Sequence, residues 1–303
     1  MNPYYYIKLL FIVITLNQFN AILCAQVCKG IPQFMQKLGF DPVRSAMSSQ
    51  ENRQRGILLI ELQDPKNTSG KRLKQYQDPS WLIPGYVGSI TTGRSGDIYV
   101  LPKANVNTLY NSPKNQNTIY RIESSSGILS AWINLPMKRL PDQQNATGLT
   151  SAYYDCESDA LIVSSIAGST QLEEIGKVYT VQVKDKSYKP ILENIDVLGV
   201  LTARLNNEKR LFYGLTRRSE VWSIALDNSN NPIGNSRKEI SVEGLGPRGD
   251  DKIRKLRMDT QGTLIMYGTP HYYNLTAPVI RQETIYTFQY DINKNTWKFT
   301  GMQ

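Results

Sequence analysis

A five-residue phrase recurs along this chain and constrains its fold more than any other feature. It reads Thr118-Ile119-Tyr120-Arg121-Ile122, Lys177-Val178-Tyr179-Thr180-Val181, Glu220-Val221-Trp222-Ser223-Ile224 and Thr284-Ile285-Tyr286-Thr287-Phe288, with a weaker copy at Gly56-Ile57-Leu58-Leu59-Ile60. Each copy follows a polar turn, and all but the weak first copy also follow another apolar strand. Self-similarity of this kind means one supersecondary unit used repeatedly, and four-stranded units of this size predict an all-β fold, a β-propeller of antiparallel blades. Counting the phrase as the third strand of each blade gives five blades. The intervals exceed the usual blade length of roughly 40–50 residues, so six blades remain open.

Strand alternation and turn chemistry place the other strands. The first complete unit reads Tyr86 to Thr92, Asp97 to Leu101, Thr118 to Glu123 and Ile128 to Leu135. The last reads Lys252 to Met258, Thr263 to Tyr267, Thr284 to Tyr290 and Thr296 to Thr300. The rings of Tyr120, Tyr179, Trp222 and Tyr286 are expected to fill the wedges between neighbouring blades.

The first 25 residues read as a targeting segment rather than as fold. Lys8 precedes the apolar run Leu9 to Leu16, which is too short to span a bilayer. Ala21-Ile22-Leu23-Cys24-Ala25 then offers small residues for cleavage after Ala25, while acylation of Cys24 is the alternative. No second run approaches membrane length, so the expectation is a secreted or extracellular protein, periplasmic in a Gram-negative host. Residues 26–55 read as an N-terminal arm with one short helix around Pro32 to Leu38 and no strand, and 56–303 as the propeller. Past the cleavage point only Cys28 and Cys156 remain. They are expected to pair as a disulfide, contributing about 4 kcal/mol by loop closure, or else to be two unrelated buried thiols. Asn67, Asn145 and Asn274 each open an N-glycosylation triplet in an expected loop.

The chain carries 35 Lys and Arg against 26 Asp and Glu, a net charge of +9. Export and the absence of an arginine-rich run argue against nucleic acid. An extracellular anionic ligand or protein remains the expected partner, and a monomer is expected. The catalytic inventory is thin. His271 is the sole histidine, so serine–histidine and multi-histidine metal chemistries have little to stand on. Gly244-Leu245-Gly246-Pro247-Arg248-Gly249 spells a dinucleotide fingerprint, but Pro247 removes an amide and a strand pattern follows where a helix is needed, so it reads as a turn.

The densest charged stretch runs from Arg248 to Arg257 and enters an inner strand. It nominates Arg248, Asp250 and Arg254 as ligand-binding residues, with His271 from a neighbouring loop. Asp196, Asp250 and Asp251 lie near the starts of inner strands and are the candidate metal ligands, because calcium needs oxygens converging from several loops.

The cadence Ser95-Gly96-Asp97-Ile98-Tyr99-Val100 followed by Asn117-Thr118-Ile119-Tyr120-Arg121-Ile122 resembles propellers of the gluconolactonase, strictosidine-synthase and NHL type. That resemblance implies a propeller over residues 56–303. In its gluconolactonase-type members it implies one divalent cation, a calcium-type ion, held in the hub by Glu, Asn and Asp. Two functions follow as expectations. One is a binding or interaction propeller for an anionic glycan or protein. The other is a metal-dependent hub hydrolase acting on a lactone or ester.

Overall fold

The third-strand phrases become the third strands of four complete blades. In the computed structural model, which describes residues 30–49, 55–62, 74–104, 108–275 and 283–303, they are β6 (Thr118–Ile122), β10 (Lys177–Gln182), β14 (Glu220–Leu226) and β18 (Thr284–Asp291). The second blade runs β4 (Val87–Thr92), β5 (Ile98–Pro102), β6 and β7 (Leu129–Asn134). The third runs β8 (Leu149–Asp155), β9 (Ala160–Ser165), β10 and β11 (Tyr188–Glu193). The fourth runs β12 (Val197–Leu205), β13 (Glu208–Leu215), β14 and β15 (Pro232–Ser241). The fifth runs β16 (Lys252–Met258), β17 (Thr263–Thr269), β18 and β19 (Thr296–Met302). Each sheet is antiparallel, with its strands in chain order.

The first blade holds three strands among the described residues: β1 (Ser45–Ser48), β2 (Leu58–Glu61) and β3 (Lys74–Tyr76). Its strand β1 corrects the expectation that the arm contains none. Ser45 to Ser48 show no alternation of burial, and they are strand because each pairs with a residue of β2, from Ser45 with Glu61 to Ser48 with Leu58. The short helix is found as expected, α1 (Gln33–Lys37), with Phe34 and Met35 buried. It docks on the second blade, where Phe34 N donates to Ser124 O at 2.9 Å. The expected targeting segment, residues 1–25, lies outside the described residues.

Every third-strand aromatic packs towards the preceding blade, as the sequence predicts. Tyr120 joins the apolar cluster between blades one and two, Tyr179 that between two and three, and Tyr286 that between four and five. Trp222 packs against the cluster between three and four. Wedge-shaped gaps between diverging sheets need large rings, and a repeated aromatic at one register supplies them. Among the described residues no cluster joins blade five to blade one. The outward face of blade five instead alternates in the manner of a half-solvated sheet, with Ile265, Tyr267, Ile285 and Thr287 only half-buried.

Strand alternation sorts the connections into two ends. Tight turns between first and second strands and between third and fourth strands form a hairpin end. The loops between second and third strands, together with the crossovers from blade to blade, form a loop end. The Gly244–Gly249 segment belongs to the loop end and is a turn, as read. Gly244, Gly246 and Gly249 all have φ near +70°, and a Cβ on Gly246 would stand 2.4 Å from Tyr286 Oη, so a side chain there meets both strain and a clash.

Candidate binding face at the loop end

Asp196 sits one residue before β12 and is fully buried. Its carboxylate gathers three loops. Oδ1 accepts Ser169 Oγ at 2.5 Å and Gly176 N at 3.0 Å from the β9–β10 loop. Oδ2 accepts Tyr273 Oη at 2.5 Å from the β17–β18 loop and lies 3.7 Å from Arg217 Nη2 of the β13–β14 loop. Arg217 then donates to Gln171 O at 2.7 Å and Thr170 O at 2.6 Å. His271 stands edge-on to the Tyr273 ring, centroids 5.2 Å apart. The result is a polar clasp fixing the loops of blades three, four and five.

Burial pushes the Asp196 carboxyl above its ordinary pKa, opposed by the hydrogen bonds from Ser169 and Tyr273 and reinforced by Glu174. A carboxyl whose pKa is higher folded than unfolded favours the folded state most when both states are protonated, and that contribution falls as pH rises through the folded pKa. Asp196→Asn keeps an acceptor for Ser169 and Gly176 and removes the charge. Tyr273 can accept from the new amide. Melting followed from about pH 4 to 8 is expected to show a smaller decline for Asp196→Asn than for the wild type. An unchanged slope would contradict this account of Asp196.

Asp251, before β16, is also fully buried but faces a guanidinium. Arg248 Nε donates to Oδ1 at 2.6 Å and Nη2 to Oδ2 at 2.9 Å, while Tyr286 Oη donates to Oδ2 at 2.8 Å. Burial raises the Asp251 carboxyl, but these donors outweigh it and hold the pKa below the usual value. Arg254 pairs with Glu283, and Asp250 is exposed on the turn. Thus, of the four ligand-binding residues that the sequence nominates, Arg248 and Arg254 are engaged by carboxylates, Asp250 faces solvent, and His271 packs on the clasp.

The nominated metal set is corrected by the same geometry. The buried carboxylates of Asp196 and Asp251 are faced by N–H and O–H donors, one of them a cationic guanidinium, where a calcium site needs free oxygens. Asp250 does not join them. Among the described residues no three His, Cys, Asp or Glu side chains come together as a metal would require. These residues do not fit a hub cation.

Three ion pairs at this end are polarised, whereas Arg254–Glu283 is exposed about equally on both sides. In the Arg218–Glu220 pair the cation is 62% exposed and the carboxylate 13%. Arg217 and Arg248 reach out from carboxylates that are 0% exposed. Lys252 Nζ donates to Ser219 Oγ at 3.1 Å, which ties the β15–β16 crossover to the β13–β14 loop. Arg217, Arg218, Arg248 and Lys252 therefore form one basic patch over blades four and five. The Arg217-Arg218 doublet is visible in the sequence, but nothing local ties it to residues some thirty positions later.

Asn145 is corrected as a glycosylation site. It is 1% exposed, and its Nδ2 donates both hydrogens, to Ile166 O at 2.7 Å and Ser169 O at 2.9 Å, so the folded loop has no place for a glycan on that nitrogen. Asn274 is exposed. Asn67 and Cys28 lie outside the described residues, and Cys156 is buried at the hairpin end.

Comparison with known proteins adds to this geometry at the level of fold. No family model and no curated protein matches the chain. A solved luciferin-regenerating enzyme aligns with a TM-score of 0.51 at 13% identity, covering 86% of this chain and 74% of that one. The chain is a β-propeller with five blades. A chain of a nidogen–laminin complex aligns with a TM-score of 0.47 at 8% identity, covering 85% of this propeller and 91% of that chain. Fold alone assigns no role, and function must come from the site.

Proposed function

We propose that this protein is a secreted interaction propeller that takes an anionic glycan or acidic protein segment on the basic patch of its loop end. One observation carries the reading: the pairs of Arg217 with Asp196, Arg218 with Glu220 and Arg248 with Asp251 point their carboxylates inward and their cations outward. Burial of Asp196, Glu220 and Asp251 takes their negative charge away from the surface and leaves the exposed Arg218 beside the partly exposed Arg217, Arg248 and Lys252. Such a patch steers and holds anions with a strong dependence on salt. The clasp around Asp196 supports the patch by fixing the loop that carries Arg217 and Arg218, which lowers the ordering cost of binding.

A single extracellular chain with a Cys28–Cys156 bridge belongs to the same proposal. Cys156 is buried in the β8–β9 turn, and Cys24 and Cys28 are the other cysteines of the sequence. Glycosylation at Asn274 fits an exported protein in a eukaryotic host.

Retention on immobilised heparin tests the reading. Arg218→Gln/Lys252→Gln leaves the Asp196 and Asp251 clusters intact and is expected to elute at clearly lower salt than the wild type, with an unchanged melting temperature. Equal elution of the two proteins would remove the patch from the account.

A further inference from the structure

The other sector of the loop end, over blades two and three and the crossover that enters them, carries a different chemistry. Five large apolar side chains project there from four separate loops. Leu172 is 97% exposed, Leu109 75%, Ile83 57%, Leu140 51% and Tyr110 43%. Soluble surfaces carry scattered apolar residues without consequence, but these occupy loops that are bonded to one another at one end of the propeller. Asn111 Nδ2 donates to Pro84 O at 2.9 Å, which joins the Ile83 segment to the Leu109–Tyr110 loop. Asn117 Nδ2 donates to Pro136 O at 3.3 Å, and Leu149 N donates to Gln116 O at 2.9 Å, so the Leu140 crossover is joined to that loop as well. Arg139 pairs with Glu173 beside Leu172. Thr170 Oγ1 accepts Leu172 N at 3.2 Å and Glu173 N at 3.1 Å, closing the turn that presents Leu172. The tips are held and not loose.

Cations stand among them. The Arg55 guanidinium lies 4.1 Å from the Tyr110 ring centroid. Lys114 is exposed, and Lys138 is 65% exposed. The acidic neighbours are engaged: Glu173 by Arg139 and Lys138, and Asp142 by the amides of Gln144 and Asn145 at 2.8 and 3.1 Å.

We propose that this sector docks on an anionic membrane surface, with Ile83, Leu109, Leu140 and Leu172 entering the headgroup–acyl boundary and Arg55, Lys114 and Lys138 meeting lipid phosphates and carboxylates. The exposure values favour lipid over a protein partner. A side chain 97% exposed stands alone on a convex tip, and a protein would need a separate preformed pocket for each such tip to use it as an anchor. A fluid interface accepts isolated protrusions wherever they fall, gains the burial of their apolar area, and adds attraction between its anionic headgroups and nearby Lys and Arg. Tyr110, with an apolar body and a polar tip, suits the same boundary. This surface adjoins the basic patch only at the Leu172 turn, where Arg217 donates to Thr170 O and Gln171 O, and its other tips come from separate loops.

Vesicle co-sedimentation of the full mature protein tests the proposal, with phosphatidylcholine vesicles and with vesicles that also contain phosphatidylserine. The wild type is expected in the pellet, more strongly with phosphatidylserine. Leu109→Ser/Leu172→Ser is expected to lose about tenfold or more in partitioning to both vesicles, with its melting temperature and its heparin retention unchanged. Lys114→Gln/Lys138→Gln is expected to lose the preference for phosphatidylserine. Wild-type protein that stays in the supernatant with both vesicles overturns the proposal and gives these tips to a protein partner. So does a leucine variant that sediments like the wild type.

Discussion

Replacing Lys209 with methionine is expected to destabilise the protein by about 3–5 kcal/mol. At the hairpin end, Lys209 Nζ on β13 donates to Asp155 Oδ2 at the end of β8 at 2.5 Å, and both side chains are almost completely buried. Thr202 Oγ1 on β12 donates to Oδ1 at 3.1 Å, and Ser158 donates to Oδ2 as well. Burial would raise the Asp155 carboxyl, but Lys209, Ser158 and Thr202 together hold it below the usual carboxylate value. Methionine keeps the volume and strands the charge, so the cost is that of an unpaired buried carboxylate.

The pH dependence of the difference gives the sharper test. In the wild type Asp155 has a lower pKa folded than unfolded. Its contribution is therefore present above the unfolded value of about 3.9 and is lost as pH falls through the folded value. Without Lys209 the carboxyl is expected to move above its ordinary value, which reverses the sign, so the gap between variant and wild type should narrow in acid. Denaturant melts at neutral and acidic pH measure this directly. A loss below about 1 kcal/mol at neutral pH, or a gap independent of pH, would contradict the role assigned to the pair.

Trp81→Ala is expected to cost about 3–5 kcal/mol and to lower the melting temperature by on the order of 10 °C. Trp81 is 0% exposed in a short 3-10 turn, Pro79–Leu82, that Asp78 caps by accepting Ser80 N at 2.8 Å. Its ring meets Phe34 of α1 at 5.8 Å and Tyr76 of β3 at 5.4 Å, edge to face, while Nε1 donates to Gly127 O at 2.7 Å. One side chain thereby joins the arm, the first blade and the second blade. Among the described residues the first blade is sealed by an apolar cluster on that side alone. Its release should also appear locally, as faster amide exchange in Leu58–Glu61 than in β9 or β13. Uniform exchange across all blades would show that the blade does not depend on this contact.

Most of the architecture is legible because third strands such as Thr118–Ile122 and Thr284–Asp291 advertise themselves through alternation and a repeated aromatic. Strand β16 keeps the bounds the sequence suggests, Lys252–Met258. Ser45–Ser48 is not legible, since only its pairing with β2 makes it a strand. The site is less legible for one physical reason: polar partners meet across blades. Asp196 reads as a metal ligand until Tyr273, 77 positions later, is seen to donate to it. Lys209 looks like a surface lysine beside Glu208 until its partner Asp155 appears in another blade, and the sequence offers no cue to either pairing. The charge balance raises the expectation of an anionic partner, and which cations could meet one depends on how deep each paired carboxylate lies.

Hydrogen–deuterium exchange of the wild-type protein with and without a heparin oligosaccharide tests the central claim most directly, because it reads where an anion lands. Protection is expected in the β13–β14 loop around Arg217-Arg218 and in the β15–β16 crossover from Arg248 to Lys252, and it should fade as salt is raised. Protection confined to the hairpin end, at turns such as 93–97, 156–159 and 259–262, would contradict the assignment of the binding face.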